Sequence, residues 1–202
     1  FGYDHFREGQ LEIVETLLHG DDAFVVMPTG AGKSLCDQLP AILSDRKTII
    51  VSPLVALMDD QVAALRQNGV AASKIHSHQS YDENADQWLT FASPGPQLLY
   101  MSPERLMQPR MLEALKQQSV GMFVVDEAHC ISKWGAAFRP EYEALSQLKT
   151  LFPDAQIAAF TATADEATRQ DIVQKLSDEN CRVFLKGFDR PNLSLAVLPK
   201  EK

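Results

Sequence analysis

Three cysteines, Cys36, Cys130 and Cys181, are all that the 202 residues contain. They are odd in number, widely separated and never arranged as Cys-x-x-Cys, which argues against a disulfide framework and for a reducing compartment. The five histidines include the near neighbours His76 and His78, but without matching cysteines these do not compose a zinc motif. No apolar run approaches the roughly 18 residues that a membrane span requires, and no stretch has the pattern of a signal peptide. Internal repeats and low-complexity tracts are absent. Positive charge is scarce, with 19 Lys and Arg against 27 Asp and Glu and a formal net charge of −8. A surface that grips nucleic acid all over is thereby excluded, because the mean field repels phosphate, and any such contact has to be local.

What is present is an ordinary globular composition, 45% hydrophobic and 23% charged, in a length that suits one α/β domain. Short β-branched or aromatic runs alternate with longer stretches of helical periodicity, the signature of βαβ units building a parallel sheet. Strands are expected at Ala23 to Met27, Lys47 to Ser52, Gln97 to Met101, Gly121 to Asp126, Ala155 to Phe160 and Cys181 to Leu185, with a weaker candidate at Ala71 to Ile75. Helices are expected at His5 to His19, Lys33 to Leu43, Leu54 to Asn68, Tyr81 to Phe91, Pro109 to Gln117, Pro140 to Phe152 and Asp165 to Leu176. Asn68-Gly69 fits a helix stop and Asp165 an N-cap. Open parallel sheets bind ligands at the carboxyl ends of their strands, so the loops there are the ones to read for function.

Directly after the first strand comes Met27-Pro28-Thr29-Gly30-Ala31-Gly32-Lys33-Ser34, followed at once by a helical pattern. Gly30 and Gly32 let backbone N–H groups turn inward around phosphate oxygens, the helix N-terminus adds its positive dipole end, Lys33 reaches the β- and γ-phosphates, and Ser34 offers a hydroxyl to magnesium. The strict G-x-x-x-x-G-K-[ST] pattern would need glycine at Met27, so the loop is the Thr-Gly-x-Gly-Lys-Ser variant. A second constellation ends the apolar strand Gly121 to Val125 in Asp126-Glu127-Ala128-His129. Asp126 is placed to hold the magnesium shell and Glu127 to orient and deprotonate an attacking water, a division of labour that phosphoryl transfer requires. His129 reads either as part of this site or as a packed polar residue.

With Asp126-Glu127-Ala128-His129 in place, the chain resembles a superfamily 2 helicase, and Cys130 to Tyr142 is similar to the aromatic-rich loop of the RecQ family. That resemblance extends over nearly the whole chain and implies a RecA-like doubly wound, mainly parallel sheet with helices on both faces. It implies that Tyr3, Arg7 and Gln10 recognise adenine, and that Thr29, Gly30, Ala31, Gly32, Lys33 and Ser34 hold the phosphates of ATP with Mg²⁺. Ser52-Pro53-Leu54 with Asp60-Gln61, and Ser102-Pro103-Glu104-Arg105, resemble motifs that track the nucleic-acid backbone. Thr161-Ala162-Thr163 resembles the motif linking hydrolysis to domain movement, and Phe188 to Asn192 the passage to the second motor domain. In the aromatic loop, Trp134 and Phe138 are suited to stacking on bases and Lys133 and Arg139 to meeting phosphates; the competing reading makes the aromatics a plug over the core. Tyr3 likewise reads either as a base clamp or as a cover for the first helix.

Two departures from the RecQ pattern stand out. Ala136 and Ala137 occupy the places of a His-Asp pair, removing two ionisable groups from the loop that couples DNA to ATP hydrolysis. Asp37 replaces the aromatic that commonly follows the Ser-Leu-Cys of the phosphate loop. The chain opens at Phe1 and ends in Leu198-Pro199-Lys200-Glu201-Lys202, and reads as a piece of a longer protein. Residues 1–192 are expected to be a first motor domain and 193–202 the start of a connection to a second RecA-like domain. The function implied is ATP-dependent translocation on single-stranded or partly duplex DNA, 3′ to 5′ as is typical of the family, in the cytoplasm at the bacterial nucleoid or in a nucleus. With no arginine finger of its own, the piece alone is expected to hydrolyse ATP poorly. The rivals are an RNA helicase of the same superfamily and a non-catalytic, ATP-gated DNA-binding module.

Overall fold

The structure, a computed structural model, describes residues 2–95, 97–134, 137–177 and 180–186. The order of elements is α1 (Gln10–His19), β1 (Ala23–Val26), α2 (Lys33–Leu43), β2 (Lys47–Val51), α3 (Val55–Gln67), β3 (Ala72–Ile75), α4 (Tyr81–Ala92), β4 (Leu98–Met101), α5 (Pro103–Leu106), α6 (Pro109–Lys116), β5 (Val120–Val125), a 3₁₀ turn (Ala128–Ile131), α7 (Pro140–Glu143), a second 3₁₀ turn (Ala144–Gln147), α8 (Leu148–Leu151), β6 (Gln156–Thr161), α9 (Glu166–Leu176) and β7 (Arg182–Leu185). Among the described residues the strands form one sheet in the order β3-β4-β2-β5-β6-β1-β7, and every pair is parallel.

Alternation along each strand sends side chains to two separate cores. Val25, Ile50, Val124 and Phe160 pack with Ile13 and Leu17 of α1, Cys36 of α2 and Met58, Val62 and Leu65 of α3. Phe24, Ile49, Phe123 and Ile157 pack on the opposite face with Phe91 of α4, Leu115 of α6, Tyr142 of α7 and Ile172 and Leu176 of α9. Burial on both faces explains why the strands read as near-continuous apolar runs. The doubly wound α/β expectation therefore holds, and even the weak candidate at Ala71 to Ile75 is a strand.

Beyond shifts of a residue or so at element ends, three features differ from the sequence reading, each for a local reason. Helix α1 starts at Gln10, not His5, because Gly9 sits in the left-handed region at φ 78°. The expected Pro140 to Phe152 helix is divided into two α turns around a 3₁₀ turn. The short α5 was not anticipated; Pro103 at its first position fixes φ where an N–H is dispensable. The Asp165 N-cap holds: Asp165 accepts from Thr168 N at 2.8 Å to start α9. The passage Phe188 to Asn192 and the boundary placed at residue 192 lie outside the described residues.

Candidate nucleotide site and nucleic-acid face

Strand order brings the carboxyl end of β1 beside that of β6, with β5 next in line, so three loops far apart in sequence meet at one edge of the sheet. Met27 N donates to Thr161 O at 3.0 Å, after which the chain leaves the sheet and turns, Ala31 N donating to Pro28 O at 3.1 Å. Gly30 and Gly32 take φ of 82° and 89°, the region where a Cβ is strained. Gly32 has a second reason to be glycine, since a Cβ there would lie 2.4 Å from Gln10 Nε2. Helix α2 then begins at Lys33 with the unpaired N–H groups and positive dipole end of any helix start. The Lys33 ammonium donates to Met27 O at 3.0 Å, across the mouth of the loop.

The N-terminal segment is bound onto this loop from outside. Arg7 Nη1 donates to Gly30 O at 2.7 Å, and Gln10 Nε2 donates to Ala31 O at 3.1 Å and Gly32 O at 3.3 Å. Gln10 is oriented in turn by accepting from Arg7 N at 2.8 Å. Tyr3, by contrast, is 69% exposed.

At the end of β5, Asp126 N donates to Val51 O at 2.9 Å. Asp126 Oδ1 accepts from Glu127 N at 2.9 Å, and its carbonyl accepts from the buried Tyr142 hydroxyl at 3.1 Å. Burial, and the Glu127 carboxylate beside it, raise the Asp126 carboxyl above the usual range, while Lys33 pulls the other way. Glu127 is the only non-glycine with positive φ among the described residues, at 50°. Such a conformation costs on the order of 1–3 kcal/mol and persists where surrounding structure imposes it. His129 Nδ1 lies 3.2 Å from Glu127 Oε2 and 2.8 Å from Thr161 Oγ1, and Thr161 donates onward to Thr163 O at 3.2 Å. Cys130 and the Glu127 carboxylate push His129 up to about 9, and His129 in turn lowers Glu127. His129 is thus a bridge between the carboxylates and β6, not a packed core residue.

The sequence model of the DEAD/DEAH box helicases matches residues 7–172. The chain belongs to the DEAD/DEAH box helicase family. Its curated relatives include the ATP-dependent DNA helicase RecQ of Haemophilus influenzae, 46% identical over 202 residues that make up all of this chain and 33% of the relative. The probable ATP-dependent DNA helicase RecS of Bacillus subtilis is 41% identical over 198 residues, 98% of this chain and 40% of that one. The helicase chain therefore spans between a third and two-fifths of these relatives. Among solved structures it is similar to a hypothetical ATP-dependent RNA helicase from Sulfolobus tokodaii, with TM-score 0.71 and 18% identity over 91% of this chain and 54% of that one. The Pyrococcus furiosus Hef helicase domain gives TM-score 0.67 and 17% identity over 88% and 37%. At these identities the likeness is one of fold, the RecA-like helicase architecture.

Elsewhere on this helicase domain the remaining predicted residues lie at the same carboxyl edge without all meeting. Ser102 and Arg105 follow β4, and Arg105 Nη1 donates to Gln108 Oε1 at 3.1 Å. Trp134 is 77% exposed, which removes the core-plug reading for that residue. Phe138 is half-buried, its ring 5.9 Å from Lys133 Nζ, and Lys133 is also paired with Glu143 at 2.6 Å. Arg139 is exposed, its N–H donating to Cys130 O at 2.8 Å. Ala137 is exposed; Ala136 lies outside the described residues. Ser52 and Gln61 also reach the nucleotide site, Ser52 Oγ 3.5 Å from Asp126 Oδ2 and Gln61 Nε2 3.5 Å from Ser34 Oγ.

Asp37 is where the sequence signal was underread. It is buried, and its Oδ1 has no hydrogen-bond partner. Burial, then the charge on Asp126, push its carboxyl well above the ordinary range, with Lys33 opposing. The sequence marks it only as a change of local packing beside the loop; that its carboxyl is buried was not legible. The unfolded chain ionises Asp37 at the ordinary value and the folded chain resists, so stability is lost as pH rises above that ordinary value toward the raised one. Asp37→Asn is expected to stabilise the domain by about 1 kcal/mol or more at neutral pH, a rise in Tm of roughly 2–4 °C or above. The gain should fade as pH falls toward the carboxylate range. Thermal unfolding followed by circular dichroism at neutral pH and near pH 4 (about the ordinary carboxylate value) checks both; an unchanged or lowered neutral Tm contradicts the expectation.

Proposed function

We propose that this chain is the ATP- and Mg²⁺-binding first motor domain of a RecQ-type ATP-dependent DNA helicase. Residues 1–192 form the domain and 193–202 begin the connection to a second RecA-like domain. The observation that carries it is the convergence of the Gly30-Ala31-Gly32-Lys33-Ser34 loop with Asp126-Glu127 at one sheet edge, in a chain 46% identical to a RecQ helicase. In this reading the adenine base lies against Tyr3, Arg7 and Gln10, and the phosphates against the backbone of residues 29–34 and the Lys33 ammonium. Among the described residues no group of three or more His, Cys, Asp or Glu could hold a metal alone. Ser34 and Asp126 fit magnesium nonetheless, because this ion keeps waters and phosphate oxygens and takes only one or two protein ligands. When bound, it neutralises charge developing on the transferred phosphate.

On the protein's side, Glu127 orients the attacking water and takes its proton, while His129 holds that carboxylate and passes its position to Thr161 and Thr163. Ser102, Arg105, Trp134, Phe138 and Arg139 form the local DNA-binding face that the net charge of −8 requires. The compartment proposed is the cytoplasm at the bacterial nucleoid, or a nucleus; no helix among the described residues is long and apolar enough to cross a membrane.

The test is ATP turnover by the full-length protein with single-stranded DNA, single-stranded RNA or neither, at fixed salt. Stimulation by DNA over RNA is expected, with unwinding of duplexes carrying a 3′ single-stranded tail. Indifference to both nucleic acids overturns the reading. A second reading, an ATP-gated DNA-binding module without turnover, is favoured by Ala136 and Ala137 in place of the His-Asp pair and opposed by the retained Glu127. ATP-dependent DNA affinity without hydrolysis would decide for it.

A further inference from the structure

The edge strand β7 sends a lysine across to the N-terminal segment. Lys186, directly after that strand, extends its pairing with β1, the N–H donating to Val26 O at 2.9 Å, one residue before the phosphate loop opens at Met27. Side chains two residues apart share a face of a strand, so Lys186 follows Phe184, which is buried and packs with Ile13 and Leu17 of α1. That register sets the lysine over the first turn of the same helix. Its ammonium donates to Glu12 Oε2 at 2.8 Å. Its stem lies on Gly9, where an added Cβ would stand 2.8 Å from Lys186 Cδ, 3.0 Å from Cε and 3.1 Å from Cγ. Gly9 is thus glycine for two reasons, its φ of 78° and the lysine stem laid across its α-carbon.

We infer that Lys186 is a positioning residue for the base of the nucleotide, an inference that rests on the adenine contacts proposed above for Arg7 and Gln10. Those two side chains end on the carbonyls of Gly30, Ala31 and Gly32, and so fasten the N-terminal segment to the loop that takes up phosphate. Lys186 fastens the same segment to the sheet. Its backbone belongs to the β1–β7 ladder, its stem covers the Gly9 turn between Arg7 and Gln10, and its ammonium holds the first turn of α1 at Glu12. The ion pair is partly exposed and by itself contributes little; the packed stem adds to it, as the apolar part of a lysine does wherever it covers a surface. Without this strut the turn shifts on its glycine, and Arg7 and Gln10 shift with it. The phosphates keep the Lys33 ammonium and the backbone of residues 29–34. What is lost is the placement of the few polar groups that orient a ligand and give specificity, so the effect falls on which base is held.

The experiment uses the full-length protein and two variants, Lys186→Ala, which removes stem and charge, and Glu12→Gln, which removes the ion pair and leaves the stem on Gly9. Affinities for ATP and for GTP, each with Mg²⁺, are measured by calorimetry, KM and kcat for ATP are measured beside them, and thermal melts show that the variants are folded. Wild type is expected to prefer ATP. Lys186→Ala should narrow that preference by about threefold or more, through ATP alone, and should raise KM for ATP with kcat retained. Glu12→Gln is expected to fall between the two proteins. A wild type that binds ATP and GTP equally overturns the adenine contacts proposed above and this inference with them. A wild type that prefers ATP, beside a Lys186→Ala variant whose preference is unchanged or which loses ATP and GTP alike, overturns this inference alone. So does a fall in kcat with KM retained, since the lysine would then act through the phosphate loop or the fold as a whole and not on the base.

Discussion

Glu127→Gln is expected to lower ATP turnover of the full-length protein by about 100-fold or more, while ATP·Mg²⁺ affinity stays nearly unchanged. Glutamine matches the shape of the side chain and keeps a hydrogen-bonding carbonyl, so what it removes is the capacity to take a proton. The variant leaves the left-handed backbone at φ 50° in place and so separates the chemistry of the side chain from the strain of its position. His129 lowers the Glu127 carboxyl, which leaves it charged throughout the neutral range but a weak base. Its contribution is to orient water before the transition state and take the proton within it, so turnover should be flat across neutral pH and fall only in acid. At the alkaline end the sign follows from His129. Its folded value of about 9 lies above the ordinary 6.5, so the Glu127–His129 pair contributes stability fully below the ordinary value and loses it as pH rises through about 9. Steady-state turnover against pH checks the profile; a Glu127→Gln protein within tenfold of wild type would remove Glu127 from the role.

Lys33→Ala should weaken ATP·Mg²⁺ binding by at least about tenfold, roughly 1.4 kcal/mol, the loss of one charge-assisted contact to phosphate. The ammonium at present donates to the Met27 carbonyl at 3.0 Å. Binding therefore exchanges a neutral acceptor for an anionic one, and the difference is the driving force. Because Lys33 also lowers Asp126 and Asp37, its removal should raise both carboxyls further and weaken magnesium binding beyond the direct loss. Calorimetry on a folded variant measures this; unchanged affinity would overturn the assignment.

The legible parts of the protein were those in which function is local in sequence. Residues 27–34 announce a phosphate loop because glycine, lysine and serine at that spacing do chemistry within one turn, and Asp126-Glu127, weak alone because acids are common in loops, becomes legible once paired with that loop upstream. The apolar runs likewise disclosed a sheet buried on both faces. Boundaries failed where backbone conformation outweighed pattern: the periodicity of residues 5–9 is helical, yet Gly9 turns the chain to deliver Arg7 onto Gly30. Contacts were not legible where side chains meet across the sheet. Gln61 belongs by sequence to a segment that resembles a DNA-tracking motif, but its amide lies at Ser34, because α2 and α3 pack on the same face.

The sequence by itself determined the alternation of strand and helix, the phosphate loop, the acid pair and the family. Those depend on short-range spacing and on the polarity of each residue. The tertiary structure decided that Trp134 stands in solvent instead of plugging the core, that Asp37 is buried and without a partner for Oδ1, and that Ser52 and Gln61 face the nucleotide site. Each of those outcomes depends on strand order, which sets β2 beside β5 and β1 beside β6. Strand order is a property of how whole elements bury their apolar faces together, and no single stretch of residues encodes it.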